Sequence, residues 1–239
     1  MSIELIRYGT DGELANAVAT AWLKEFKPAK NHDLSYCVAL SGGRIARKLF
    51  SATAERAKAD KLTLSFAHFF WADERCVAPA DPESNFRVAR ELLFAPLQIP
   101  DRHIHRIRGE ETPDFAAAEA EAEICRIAPL NSDGQPVLDL ILLGMGEDGH
   151  VASLFPGEPE NTMANPAVYR GVTASKPPPK RITIGYKTIA AARQVWVVAS
   201  GSTKEAALRE SLSPTGRTPL SRVLKSRAAT RLYSDIPCG

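Results

Sequence analysis

The stretch LILLGMGEDGHVASLFPG, residues 140–157, runs from an apolar segment into a glycine turn and then directly to His150. An imidazole is the natural general base for activating water near neutral pH, and a turn at a strand end is where its ring meets a cleft. The plainer reading is a histidine that only hydrogen-bonds its own loop. Asp148 either orients that ring or makes an Asx turn. Gly144, Gly146 and Gly149 also fit G-x-G-x-x-G, the spacing of dinucleotide-binding turns. That reading requires a long helix after the third glycine and an acidic residue at the end of the next strand. Pro156-Gly157 stops any helix within two turns, and 158–166, rich in Pro, Asn and Glu, is no strand. The nucleotide reading therefore fails on context and leaves His150 unexplained.

Three further loops carry suitable groups. Ser41-Gly42-Gly43-Arg44 lies between a short apolar strand and a helix. Paired glycines there either expose backbone N–H groups as an anion nest or serve only as a tight turn. Ala72-Asp73-Glu74-Arg75-Cys76-Val77 holds two acids and a base, either a solvated ion pair or an Arg75 placed to grip a phosphate. Gly201-Ser202-Thr203-Lys204 puts Lys204 in the first turn of a helix, against the dipole, where a bound anion would compensate. A nest, an arginine, a lysine and a histidine together suit a small phosphorylated substrate and base-assisted chemistry.

What must position them is a set of strands. Residues 3–8, 36–40, 64–71, 138–143, 181–184, 195–199 and 231–234 read as strands. Thr10-Asp11-Gly12-Glu13 is a capping box before a helix through Phe26. Helices are also expected over 45–59, from Asp81-Pro82-Glu83-Ser84, over 112–128, and from a second capping box, Ser202 to Glu205, through Leu212. Near-continuous apolar strands alternating with helices predict an α/β fold, a mostly parallel central sheet with helices on both faces, Rossmann-like, in one domain over residues 1–239. Sites in such sheets form at the carboxyl ends of strands, which is where all four loops fall.

Composition narrows the function. Lys and Arg total 30 against 28 Asp and Glu, a net charge of +2, so there is no basic footprint for nucleic acid or anionic membrane. Cys37, Cys76, Cys125 and Cys238 are scattered without a C-x-x-C pair, so reduced thiols are expected rather than a metal or disulfide scaffold. His103-Ile104-His105 alternates as in a strand without a third ligand and reads as structural. No signal peptide or transmembrane run is read, so the expectation is a cytoplasmic monomer or small homo-oligomer.

The chain resembles the 6-phosphogluconolactonase family, which shares its fold with glucosamine-6-phosphate deaminase. The matching segments are 40–43, 71–77, 83–86, 143–157, 176–183, 201–204 and 219–224, in the family's order. DERxV and DGHxASLFPG are the most specific. The resemblance implies hydrolysis of 6-phosphogluconolactone in the oxidative pentose phosphate pathway, with no metal or cofactor. It implies His150 as general base, and Arg75 and Lys204 as phosphate ligands. Arg181 joins Ser41, Gly42, Gly43 and Arg44 among the substrate-binding candidates. One departure stands out. The family's first loop usually reads SGGSTP, whereas here Arg44-Ile45-Ala46 replaces the hydroxyl residues, and Arg44 either contacts phosphate or points to solvent.

Two rivals follow. Deaminases on this fold carry an acid after the histidine and a tyrosine where Arg75 stands; Ser153-Leu154-Phe155-Pro156 departs from that pattern. A non-catalytic sugar-phosphate sensor would keep Arg75 and Lys204 but would not need His150.

Overall fold

A computed structural model describes residues 2–26 and 36–237; Cys238 lies outside them. In chain order the elements begin β1 (Ser2–Arg7), α1 (Asp11–Glu25), β2 (Tyr36–Leu40), α2 (Arg44–Ala59), β3 (Ala67–Trp71) and β4 (Asp73–Arg75). Next come α3 (Asn85–Ala89), a π-helical turn (Arg90–Phe94), α4 (Ala95–Leu97), α5 (Pro113–Ile127), β5 (Leu140–Gly144), β6 (Tyr169–Thr173) and β7 (Lys180–Ile184). The remainder is α6 (Tyr186–Ala191), β8 (Gln194–Ala199), α7 (Glu205–Leu212), α8 (Pro219–Lys225) and β9 (Ala229–Ser234).

Six strands form one sheet in the order β1-β9-β8-β5-β2-β3, and every pairing in it is parallel. Cys37, Val38, Ala39 and Leu40 are all fully buried, so successive side chains are covered on both faces, as the apolar run predicts. The order steps outward from β5 in both directions, which opens a crevice at the carboxyl ends of β2 and β5. There the loops touch: a Cβ on Gly144 would lie 3.5 Å from the Gly42 carbonyl oxygen. Asp139, the one acid in the Leu138–Leu143 run, pins the other end. Its carboxylate accepts the Cys37 amide at 2.8 Å and the Arg193 guanidinium at 2.6 Å.

A second, antiparallel sheet, β4-β7-β6, contains the strand read at 181–184 as β7, while β4, β6 and the antiparallel pairing have no counterpart in the sequence reading. It joins the first through Ala72. The Ala72 N–H donates to Leu40 and its carbonyl accepts from Ile184, both at 2.8 Å.

Thr10 caps α1 as expected, its hydroxyl accepting the Glu13 amide at 3.1 Å while Glu13 takes the Gly9 amide at 3.0 Å. Two helix starts differ from expectation. Asp81 caps only a turn, accepting the Glu83 amide; α3 starts at Asn85 with Ser84 as its cap. The start is displaced because the buried Glu74 carboxylate accepts the amides of Asn85 and Phe86, each at 2.8 Å, and so fixes the first turn there. Ser202–Lys204 forms a 3₁₀ turn before α7, and neither hydroxyl caps it; Thr203 instead donates to Glu147 at 3.1 Å. The strand expected from Leu64 begins at Ala67. Among the described residues no helix is long and apolar enough to cross a membrane.

The histidines of 103–105 pack under β3. Ile104 bridges Phe69. His105 Nδ1 lies 2.8 Å from Glu123, so its Nε2 accepts from His68 Nδ1 at 2.9 Å. The rings of His103, His68, His105 and Phe70 stack in succession. Burial, reinforced by its neighbours His103 and His105, pushes His68 down to about 4. The unfolded ring takes up its proton near pH 6.5. The folded chain therefore binds fewer protons between pH 6.5 and 4, and stability is lost as pH falls through that window. The full shift corresponds to about 3 kcal/mol, which solvent screening of this half-exposed ring reduces to about 1–2 kcal/mol. Denaturant melts at pH 7 and 4.5 should show His68→Asn losing less stability than wild type by that amount; identical losses would remove His68 from the account.

Candidate active site

All four loops converge on one cavity of about 320 Å³ at the carboxyl ends of the strands, lined among others by Ser41, Gly42, Gly43, Arg44, Asp73, Arg75, Asn85, Gly146, Glu147, His150, Lys176, Arg181 and Lys204. Of the candidate catalytic and substrate-binding residues named from sequence, only Asp148 does not line it.

His150 is placed by its loop. The Gly146 N–H donates to the His150 carbonyl at 2.8 Å and the Gly149 N–H to the Gly146 carbonyl at 3.1 Å. The Asp148 carboxylate lies 2.5 Å from His150 Nδ1 and accepts the His150 amide at 3.1 Å. A carboxylate can only accept, so Nδ1 carries the proton in this bond, and the tautomer it selects for the neutral ring leaves the lone pair on Nε2. Burial opposes the Asp148 charge, but the His150 ring and the hydrogen bonds outweigh it and hold the carboxyl below the ordinary range. Asp148 thus does both things the sequence allowed: it makes the Asx-type turn and orients the ring. Phe155 flanks the imidazole, with ring centroids 5.0 Å apart.

Gly146 is where this geometry demands a glycine. A Cβ there would meet His150 Cε1 at 2.0 Å. The Gly146→Ala ring must therefore shift by an ångström or more, which costs on the order of 10²-fold in a positioned reaction. Turnover should fall by about that much while the melting temperature stays within a few degrees; full turnover would show that the ring position does not matter.

The rest of the cavity favours an anion. Arg44, Arg75, Lys176, Arg181 and Lys204 line it, against the carboxylates of Asp73 and Glu147. Arg75 and Arg181 sit directly opposite each other across β4 and β7, where like charges destabilise. Burial, then the Arg75 charge, pushes the Arg181 guanidinium below its ordinary value. Arg181 is held by the Pro178 carbonyl at 3.1 Å and lies over the Phe155 ring. Arg75 donates through Nη1 to the Glu83 carbonyl, while its buried Nε has no hydrogen-bond partner. Burial and then the Arg44 charge push the Lys204 ammonium down. The Ser41 hydroxyl is buried and unpartnered, and α2 opens at Gly43 (φ 101°) without a side-chain cap or an acid in its first turn.

Asp73 and Asn85 are cavity residues the sequence reading missed. Asp73 is 5% exposed and accepts the Ser153 hydroxyl at 2.8 Å. Asn85 is 3% exposed and donates to the Asp73 carbonyl at 2.8 Å. The second constrained glycine, Gly42, makes room for Asn85, since a Cβ there would lie 1.8 Å from Asn85 Oδ1. Among the described residues no group of three or more His, Cys, Asp or Glu side chains is arranged to hold a metal ion.

The family described as glucosamine-6-phosphate isomerases/6-phosphogluconolactonase matches residues 9–232. A 6-phosphogluconolactonase of Aggregatibacter actinomycetemcomitans is 36% identical over 83% of this chain and 84% of its own length. One of Treponema pallidum is 36% identical over 81% and 79%. The solved 6-phosphogluconolactonase of Trypanosoma brucei superposes with a TM-score of 0.85 at 26% identity, covering 98% of this chain and 96% of that one. A monomeric glucosamine-6-phosphate deaminase, 19% identical with a TM-score of 0.79 over 98% of this chain and 97% of its own, shares the fold. The chain belongs to the glucosamine-6-phosphate isomerase/6-phosphogluconolactonase family.

Proposed function

We propose that the chain hydrolyses 6-phospho-D-glucono-1,5-lactone to 6-phospho-D-gluconate, the lactone-opening step of the oxidative pentose phosphate pathway. The observation that carries this reading is the presence, in one cavity, of an imidazole with a free Nε2 and a cluster of cations short of counter-charge. Two relatives 36% identical over most of the chain carry the same activity in their names.

The 6-phosphate docks against Arg75, Lys204 and the N–H groups at the start of α2, with Ser41, Gly42, Gly43 and Arg44 beside it and Arg181 behind Arg75. That contact positions the lactone carbonyl near His150. Nε2 takes a proton from water as the water oxygen attacks the carbonyl carbon. Asp148 stabilises the imidazolium that forms. The tetrahedral oxyanion collapses, the bond to the ring oxygen breaks, and the imidazolium returns its proton to that oxygen. The amides of Gly146 and Gly149 are already committed within the loop, so neither is an oxyanion donor.

Base titration of purified protein with freshly generated lactone, corrected for spontaneous opening, tests the proposal. Acid release proportional to enzyme is expected. Phosphosugar binding without turnover would assign a sensor instead, and ammonia release from glucosamine 6-phosphate would assign a deaminase.

A further inference from the structure

Arg44 stands on the first turn of α2, and its guanidinium reaches across the cavity mouth. Its Nη2 lies 4.0 Å from where a Cβ on Gly201 would sit, beside the turn that carries Lys204. Two cations and the amino end of a 16-residue helix therefore face one opening. The acids nearby are otherwise engaged. Glu147 accepts the Thr203 hydroxyl at 3.1 Å and lies 3.8 Å from Lys176. Asp235 accepts the Ser200 hydroxyl at 2.7 Å and the Gly201 amide at 3.0 Å. Among the described residues neither Arg44 nor Lys204 has an ion pair. A second, independent sign of a ligand is Ser41, 8% exposed, which lines the same cavity with its hydroxyl unpartnered.

We infer that Arg44 is a specificity-determining residue that, with Lys204, matches the site to a doubly charged phosphate ester over a singly charged ester of the same shape. The inference rests on the phosphosugar reading above and adds a charge preference to it. A helix terminus contributes about half a unit of positive charge. Arg44 stands with Lys204 and Arg75 around one cavity, and because a fixed cation attracts a dianion about twice as strongly as a monoanion at the same place, Arg44 adds its own share to a preference for the doubly charged ester. A phosphate monoester is largely dianionic above its second pKa near 6, whereas a sulfate ester stays monoanionic.

The test is calorimetric binding of glucose 6-phosphate and glucose 6-sulfate at pH 8 to wild type, Arg44→Gln and Arg44→Lys. Wild type should bind the phosphate at least about tenfold tighter. Arg44→Gln should lower that phosphate-to-sulfate ratio by about fivefold or more, and Arg44→Lys should retain most of it. Arg44 is exposed, so the glutamine variant should keep the wild-type melting curve, which is to be measured alongside. A wild-type ratio near one, or an unchanged ratio in Arg44→Gln, overturns the charge preference and leaves the phosphosugar reading intact. Binding of neither ester by wild type removes both.

Discussion

His150→Ala should lower kcat by about 10²–10⁴-fold, the usual contribution of a general base, with KM nearly unchanged. The separation follows from the proposed mechanism, in which the imidazole meets the attacking water and the cations hold the far end of the substrate. Asp148→Asn should show a smaller loss through the same step. An asparagine still accepts from Nδ1 through its carbonyl, but it no longer stabilises the imidazolium that forms when Nε2 takes the proton. Initial rates corrected for spontaneous opening, with melting curves for both variants, decide the matter. Wild-type kcat in a folded His150→Ala protein would remove the imidazole from the mechanism.

Arg75→Ala should act in the complementary way, raising KM for the phosphorylated lactone by about 10–100-fold, as expected for a charge-assisted bond worth 1.5–3 kcal/mol. Glucono-1,5-lactone without the phosphate should be affected little. Arg75 also donates to the Glu83 carbonyl, so its loss loosens the turn before α3. Arg75→Lys separates the two roles, since a lysine restores charge without the fork of donors. An equal loss on both lactones in every variant would mean that Arg75 only supports the fold.

Most of the site was legible because its parts are local. A glycine turn after an apolar run announces itself, and Asp148, Gly149 and His150 lie within one loop. Lys204 stood out because a cation against a helix dipole is out of place. What escaped depends on contacts between distant segments. Asp73 reads as one charge in an acid-acid-base stretch, and only the approach of Ser153, 80 positions later, shows it to be buried. Asn85 read as part of a helix start, and its place beside Gly42 follows from Glu74 fixing where α3 begins. The β4-β7-β6 sheet is invisible for the same reason. β4 spans Asp73–Arg75, too short for any periodicity, and β6 holds a glycine at its centre; both are defined by register with β7. Arg181 illustrates the limit. Its motif was readable, but its position opposite Arg75 was not.

Ala72 has a consequence that reaches the substrate. One residue ties Leu40 of the large sheet to Ile184 of the small one, and Arg75 follows three residues later. β2 also pairs with β5, whose loop carries His150. In the proposed mechanism the segments that carry the phosphate grip and the base are thus tied together by backbone hydrogen bonds, and the protein works as a ruler. A phosphorylated lactone one carbon shorter would still satisfy the cations, yet its carbonyl would stop short of Nε2. Such a compound would occupy the cavity without being opened.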